Sequence, residues 1–186
     1  ILYFGTLIRK KGVLELPKIF NKVHDRLNKV ELILVGSDSA DIKTGSSSTW
    51  ALMQPNFSAS SLKKVNYLGV VPYSKIQNLI NKATVCVFPS FAEALPVSWL
   101  EAMAMEKAIV ASNIGWAEEM IEDGKEGFLV HPTNHKQFAE RILELLHDEN
   151  KREQFGLAAR RKVKKQFNHN LIAERSLEFY KKILNI

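Results

Sequence analysis

The stretch Thr84-Val85-Cys86-Val87-Phe88, Pro89-Ser90-Phe91-Ala92-Glu93-Ala94-Leu95-Pro96, Val97-Ser98-Trp99-Leu100-Glu101-Ala102-Met103-Ala104 falls into three parts. A short apolar run rich in β-branched residues stops at a proline. Small and acidic residues follow, and then apolar positions recur at helical spacing. That order reads as strand, loop and helix. Cys86, the sole cysteine, lies inside the apolar run and reads as a small buried hydrophobe, not a reactive thiol.

Moving outward, the same unit recurs. Strands are expected over 2–5, 31–35, 65–68, 84–88, 108–111 and 127–130, with helices over 13–27, 73–81, 97–105 and 117–121. Pro17 falls in the first turn of its helix, where a missing N–H costs little. Strand–helix alternation implies parallel strands joined by right-handed crossovers. The expected class is α/β: a doubly wound, Rossmann-like sheet of about six strands flanked by helices. From 134 onward only helices are read, the last over 171–184. Residues 36–61 are rich in Ser, Asp and Gly and predict a long loop with a short helix over 49–54.

Length and charge set the bounds. The chain has 186 residues, 46% hydrophobic and 25% charged, which fits one globular domain. No apolar stretch approaches the roughly 18 residues of a membrane span. The opening Ile1-Leu2-Tyr3-Phe4-Gly5 reads as a strand already in progress, without an initiator Met, so the segment is expected to come from a longer protein. Residues 149–186 hold ten Lys or Arg against four Glu, and so carry the whole net charge of +6. These bases lie in terminal helices, away from the loops and without interleaved aromatics, which argues against nucleic acid.

In a doubly wound sheet, ligands bind beyond the carboxyl ends of the strands, here loops 5–12, 36–41, 69–73, 89–96 and 112–117. Pro96 is expected as an early helical residue, leaving the amides of Val97 and Ser98 as free donors. Free amides at a helix start favour phosphate. Glu93 and Glu101 must then face uncharged parts of the ligand, and carboxylates accept hydrogen bonds from sugar hydroxyls. A diphosphate flanked by two sugars, which is a nucleotide sugar, meets both demands. Taken alone, such glutamates are most often a solvated loop acid and an exposed helix residue.

The wider text reverses that weighting. Glu93, seven intervening residues and Glu101-Ala102-Met103-Ala104 resemble the paired-glutamate motif of retaining glycosyltransferases with two Rossmann-like domains. Gly5-Thr6-Leu7 with Lys11-Gly12, Leu34-Val35-Gly36, Leu68-Gly69-Val70-Val71 and Val87-Phe88-Pro89-Ser90 are similar to that family's motifs and stand in its order. Ile109-Val110-Ala111-Ser112 with Gly115, then Glu119 and Asp123-Gly124 through Gly127-Phe128-Leu129-Val130, complete the run. The resemblance is to the C-terminal, donor-binding domain of the group one glycosyltransferases and covers roughly 1–150.

The resemblance implies a site. Lys11 would bind the diphosphate, and Glu101 the ribose hydroxyls. Glu93, the catalytic-site residue, would hold hydroxyls of the transferred sugar. Val71 would meet the base through its backbone, and the amides of Leu95 and Val97 around Pro96 would cradle the distal phosphate and sugar. It also implies residues 1–150 as the nucleotide-sugar-binding domain and 151–186 as its helical extension. The acceptor would sit on an N-terminal domain outside this segment, against which the final helix packs. The implied reaction needs no metal or cofactor. The lone cysteine fits a cytoplasmic setting. The basic run 160–165 reads as a solvated face, as a contact to an acidic surface of the N-terminal domain, or as a peripheral contact to an anionic membrane.

Departures are specific. Thr6 stands where the family usually has Arg, with Arg9 or Lys10 as replacements from the same loop. Ala94, Pro96, Glu106 and Trp116 stand where glycine is common. These favour a rival reading, a non-catalytic nucleotide-binding or scaffolding module. No Gly-x-Gly pair marks a dinucleotide site and no Asp-x-Asp pair marks a metal. Asp38 and Asp41 read as turn formers, and the five histidines show no metal spacing, with His131 a minor candidate for the cleft.

Overall fold

The computed structural model describes residues 1–184. Six parallel strands form one sheet in the order β3-β2-β1-β4-β5-β6. They are β1 (Leu2–Phe4), β2 (Leu32–Val35), β3 (Val65–Tyr67), β4 (Cys86–Phe88), β5 (Ile109–Ser112) and β6 (Gly127–Val130). The register runs Leu2↔Ile33 between β1 and β2, Leu2↔Cys86 between β1 and β4, and Cys86↔Ile109 between β4 and β5. Strands β1, β4, β5 and β6 are buried on both faces and do not alternate, whereas the edge strand β3 is only partly buried and exposes Asn66. The chain reverses winding between β1 and β4, which opens a crevice at their carboxyl ends.

The intervening helices are α1 (Leu16–Arg26), α2 (Thr49–Met53), α3 (Ala59–Leu62), α4 (Tyr73–Lys82), α5 (Val97–Ala104) and α6 (Ala117–Met120). Three more close the chain: α7 (His135–His147), α8 (Glu149–Gln166) and α9 (His169–Leu184). Helix α1 presents Leu16, Ile19, Phe20 and Val23 to the core and packs on α7, whose Phe138, Ile142 and Leu143 are buried. It begins later than its apolar spacing suggests, because residues 9–11 form a 3₁₀ turn ending at Gly12 in the left-handed region. The short α3 was not expected inside so polar a stretch. Ser58 makes it by accepting the Ser61 N–H as its cap.

The basic α8 is anchored in the same core, on α5 and β6. Phe155, Gly156 and Ala159 are buried, and the Phe155 ring meets Phe128 edge-on at 5.0 Å. Besides Lys151 and Arg152, which bond to α7, two more of its bases are committed to the domain. Arg160 Nη1 donates to Ala104 O at 2.8 Å, at the end of α5, and Lys162 Nζ lies 3.6 Å from Glu126 Oε2. Helix α9 buries none of its described residues and exposes Ile172, Leu177, Phe179, Tyr180, Ile183 and Leu184.

Candidate functional site

Two backbone approaches shape the crevice. Gly12 packs against the carbonyl of Pro89, where an added Cβ would lie 1.6 Å from the oxygen. Gly36 packs on Gly5 in the same way, with 2.0 Å to its carbonyl oxygen. Only glycine permits either contact. The loop after β1 is thereby held against the loop after β4, and Phe91 N–H donates to Lys10 O at 2.8 Å to fix it there.

A cavity of about 440 Å³ opens at this junction. Thr6 and Lys11 line it from the β1 loop, and Ser37 from the β2 loop. Val71, Tyr73 and Ile76 come from the β3–α4 connection. Glu93, Leu95, Pro96, Val97, Ser98 and Glu101 come from the loop after β4 and the start of α5. The eight residues expected to bind the donor, Thr6, Lys11, Val71, Glu93, Leu95, Pro96, Val97 and Glu101, therefore line one space. A larger cavity of about 630 Å³ lies beside the same loops, lined by Arg9, Lys10, Asp41, Ile42 and Phe91 among others. We place the site in the smaller one because it contains a helix start and the sheet's switch point, while Arg9 and Asp41 in the larger neutralise each other.

Three details differ from the sequence reading. Pro96 is the cap of α5 and not a helical residue, so the helix starts at Val97. The first N–H of the helix to find a backbone acceptor is that of Trp99, on Pro96 O at 3.0 Å. The amides of Val97 and Ser98 precede it at the mouth of the cavity. Arg9 does not replace the missing family arginine: its Nε and Nη2 each lie 2.7 Å from the Asp41 carboxylate, turned away from the crevice. Lys10 is exposed and lines the other cavity, so among the described residues Lys11 is the one cation lining the candidate site. His131 hydrogen-bonds Thr133 at 2.8 Å and does not line the cavity.

The charged groups are already engaged with one another. Lys11 Nζ lies 3.2 Å from Glu93 Oε1, and Ser90 Oγ donates to that same oxygen at 2.9 Å. Tyr3 donates its hydroxyl to Thr6 O at 3.0 Å. Burial, reinforced by the Glu93 charge, holds the Tyr3 phenol far above its ordinary value, so it remains a donor. The Tyr73 hydroxyl donates to Glu101 Oε1. Ser90 and Tyr73 were not singled out from sequence. Ser90, three residues before Glu93 in the quoted loop, was at least in view. The pairing of Tyr73 with Glu101 spans 28 residues and had no local signal. Trp116 is half exposed and lines a small adjacent hollow with Glu93, Ala94 and Pro96. Among the described residues, no group of three or more His, Cys, Asp or Glu is placed to hold a metal ion.

Comparison with known proteins identifies the family and the fold. Residues 1–162 match the family model for glycosyl transferases group 1. The alpha-maltose-1-phosphate synthase of Mycolicibacterium smegmatis is 31% identical, over 98% of this chain and 48% of that protein. The crystal structure of a glycosyltransferase from Rickettsia africae superposes with a TM-score of 0.84 at 27% identity, covering 98% of this chain and 47% of that one. The structure of HepE from Anabaena in complex with UDP-glucose shares the fold, with a TM-score of 0.81 at 24% identity over 97% of this chain and 48% of that one. The chain spans about half the length of the curated relatives it matches.

Proposed function

The chain belongs to the group 1 glycosyl transferases, and on that premise we propose that it forms the nucleotide-sugar-binding half of a retaining enzyme. The observation that carries this reading is the single cavity at the β1–β4 switch point. It combines one cation, Lys11, the free amides at the start of α5, and carboxylates on either side at Glu93 and Glu101. A diphosphate fits between the cation and the amides. The ribose hydroxyls fit at Glu101 with the base toward Val71, and the transferred sugar fits at Glu93.

As the bond from the sugar's anomeric carbon to the phosphate oxygen breaks, negative charge grows on the leaving diphosphate. Lys11, the Thr6 hydroxyl and the amides are preorganised for that charge, so stabilisation is greatest at the transition state. This scheme assigns no metal or cofactor. The acceptor, a glycan or lipid-linked sugar, is assigned to an N-terminal half supplied by the remainder of the protein, with 1–150 and its helical extension 151–186 acting as one unit. The exposed apolar face of α9 suits packing on that half. We assign the enzyme to the cytoplasm, at the face of an anionic membrane. Among the described residues, no helix is long and apolar enough to cross one.

Calorimetric titration with UDP, GDP, ADP and their sugars, in EDTA and then in Mg²⁺, tests the reading. Binding of at least one nucleoside diphosphate in EDTA is expected. Failure of all of them, or an absolute need for Mg²⁺, overturns the site as drawn. One observation favours a second reading, a non-catalytic nucleotide-binding module. With Thr6 in place of arginine and Arg9 held by Asp41, a single cation faces the phosphates. Donor binding without donor hydrolysis or transfer by the full-length protein would select it.

A further inference from the structure

Tyr73 is the first residue of α4 and stands immediately after the Val70-Val71-Pro72 segment. Its ring is 71% exposed, yet its hydroxyl is fixed on Glu101 Oε1. Both residues line the candidate cavity. An exposed tyrosine has water available on every side and loses side-chain freedom by holding one partner. A glutamate at a helix surface has three side-chain torsions and, left alone, samples many carboxylate positions. Here one carboxylate oxygen is tied to the start of α4, two residues past Val71, and the other makes no hydrogen bond among the described residues.

We propose that Tyr73 is a positioning residue for ribose recognition, holding the Glu101 carboxylate in the orientation that receives the sugar hydroxyls of the nucleotide. This rests on the reading of Glu101 as the ribose ligand. A carboxylate already fixed by one hydrogen bond accepts the next with less ordering cost, which is where preorganised sites gain affinity. The hydrogen bond to Glu101 also raises the Tyr73 phenol above its ordinary value, so the hydroxyl stays protonated and keeps donating. The tether further joins the start of α4 to the side of α5, so the base wall and the ribose wall of the cavity move as one.

The test compares, on the full chain, the affinity of the best-bound diphosphate among UDP, GDP and ADP with that of its 2′,3′-dideoxy counterpart. Three proteins are measured: unsubstituted, Tyr73→Phe and Glu101→Gln. The unsubstituted chain should prefer the ribonucleotide. In Tyr73→Phe that preference should shrink about three- to tenfold, less than deletion of a direct charged hydrogen bond. Affinity for the dideoxy form and the melting temperature should both hold. Glu101→Gln should also reduce the preference. If Glu101→Gln lowers the preference and Tyr73→Phe leaves it unchanged, or weakens both nucleotides equally, the Tyr73 assignment fails while the ribose site stands. If the unsubstituted chain does not distinguish the two nucleotides, the ribose site fails and takes the assignment with it.

Discussion

Lys11 Nζ sits 3.2 Å from Glu93 Oε1, joining the loop after β1 to the loop after β4 across 82 residues of chain. Each of these charges satisfies the other. On the proposed reading a bound nucleotide sugar asks for both, the cation at its phosphates and the carboxylate at its sugar. Donor binding would then exchange one ion pair for two ligand contacts, which makes the two glutamates inequivalent.

Glu93→Ala frees Lys11, so affinity for the nucleoside diphosphate should hold or rise while the advantage of the sugar-bearing form is lost. Glu101→Ala has no such compensation and should weaken both ligands by roughly 1.5–3 kcal/mol, the range for a hydrogen bond to a charged group. Paired titrations with diphosphate and diphosphate sugar separate the two. Equal losses in both variants would show the roles to be divided wrongly.

Thr6→Arg should tighten diphosphate binding about tenfold, since a guanidinium adds charge and a charge-assisted bond where Thr6 has one hydroxyl. The space is not taken by Arg9, which Asp41 holds. Because the gain is electrostatic, titrations at two salt concentrations should show it shrinking at the higher. Weaker binding would mean that the β1 loop cannot admit the longer side chain.

Asp41 is a stability switch toward acid. Hydrogen bonds from Arg9 and then from Thr44 hold its carboxyl well below the usual carboxylate range. A depressed folded-state value stabilises above the unfolded value, about 3.9, and that contribution is lost as pH falls through the folded one. Asp41→Asn should thus melt below the unsubstituted chain at pH 7, with the gap closing as pH drops under about 4. A gap that ignores pH would place the effect in packing instead.

Glu106 adopts φ 59, in the left-handed region that follows α5. A side chain there costs about 1–2 kcal/mol. Its Oε1 lies 3.5 Å from Arg160 Nε with both side chains over 40% exposed, an arrangement of small worth. Glu106→Gly should raise stability by about 0.5–1 kcal/mol once the freer unfolded chain is counted. Denaturant melts measure this, and a loss would show the ion pair to matter more than the backbone.

Membrane contact, if present, must use the bases that the fold leaves over. Arg160 and Lys162 are turned to the domain, while Arg161, Lys164 and Lys165 on α8 and Lys181 and Lys182 on α9 are exposed, the last two next to Phe179 and Tyr180. Each base near an anionic surface contributes about 1 kcal/mol, so sedimentation with anionic vesicles should be salt-sensitive and lost in Arg161→Ala/Lys164→Ala/Lys165→Ala. No binding, or binding indifferent to salt, leaves α9 to protein packing alone.

The sheet was legible because its determinants are local. Runs such as Val85-Cys86-Val87-Phe88, each followed by helical spacing, state strand and helix within a dozen residues, and alternation then restricts topology. That the eight expected residues would line one cavity was legible for a related reason: the loops that bear them are fixed by strand ends, and strand ends converge in a doubly wound sheet. Side-chain partnership was not legible. Nothing near Arg9 announces that it turns to Asp41, 32 residues on, and does not line the candidate cavity. Nothing near Tyr73 announces Glu101. The basic run 160–165 gives no local sign of its partners, but burial of Phe155, Gly156 and Ala159 sets α8 so that Arg160 reaches the end of α5 and Lys162 meets Glu126. Sequence alone determined the fold class and which loops meet, since hydrophobic periodicity and backbone punctuation act over neighbouring residues. Tertiary structure alone decided which charges meet within those loops, because a long side chain chooses among partners brought close only once the chain has folded.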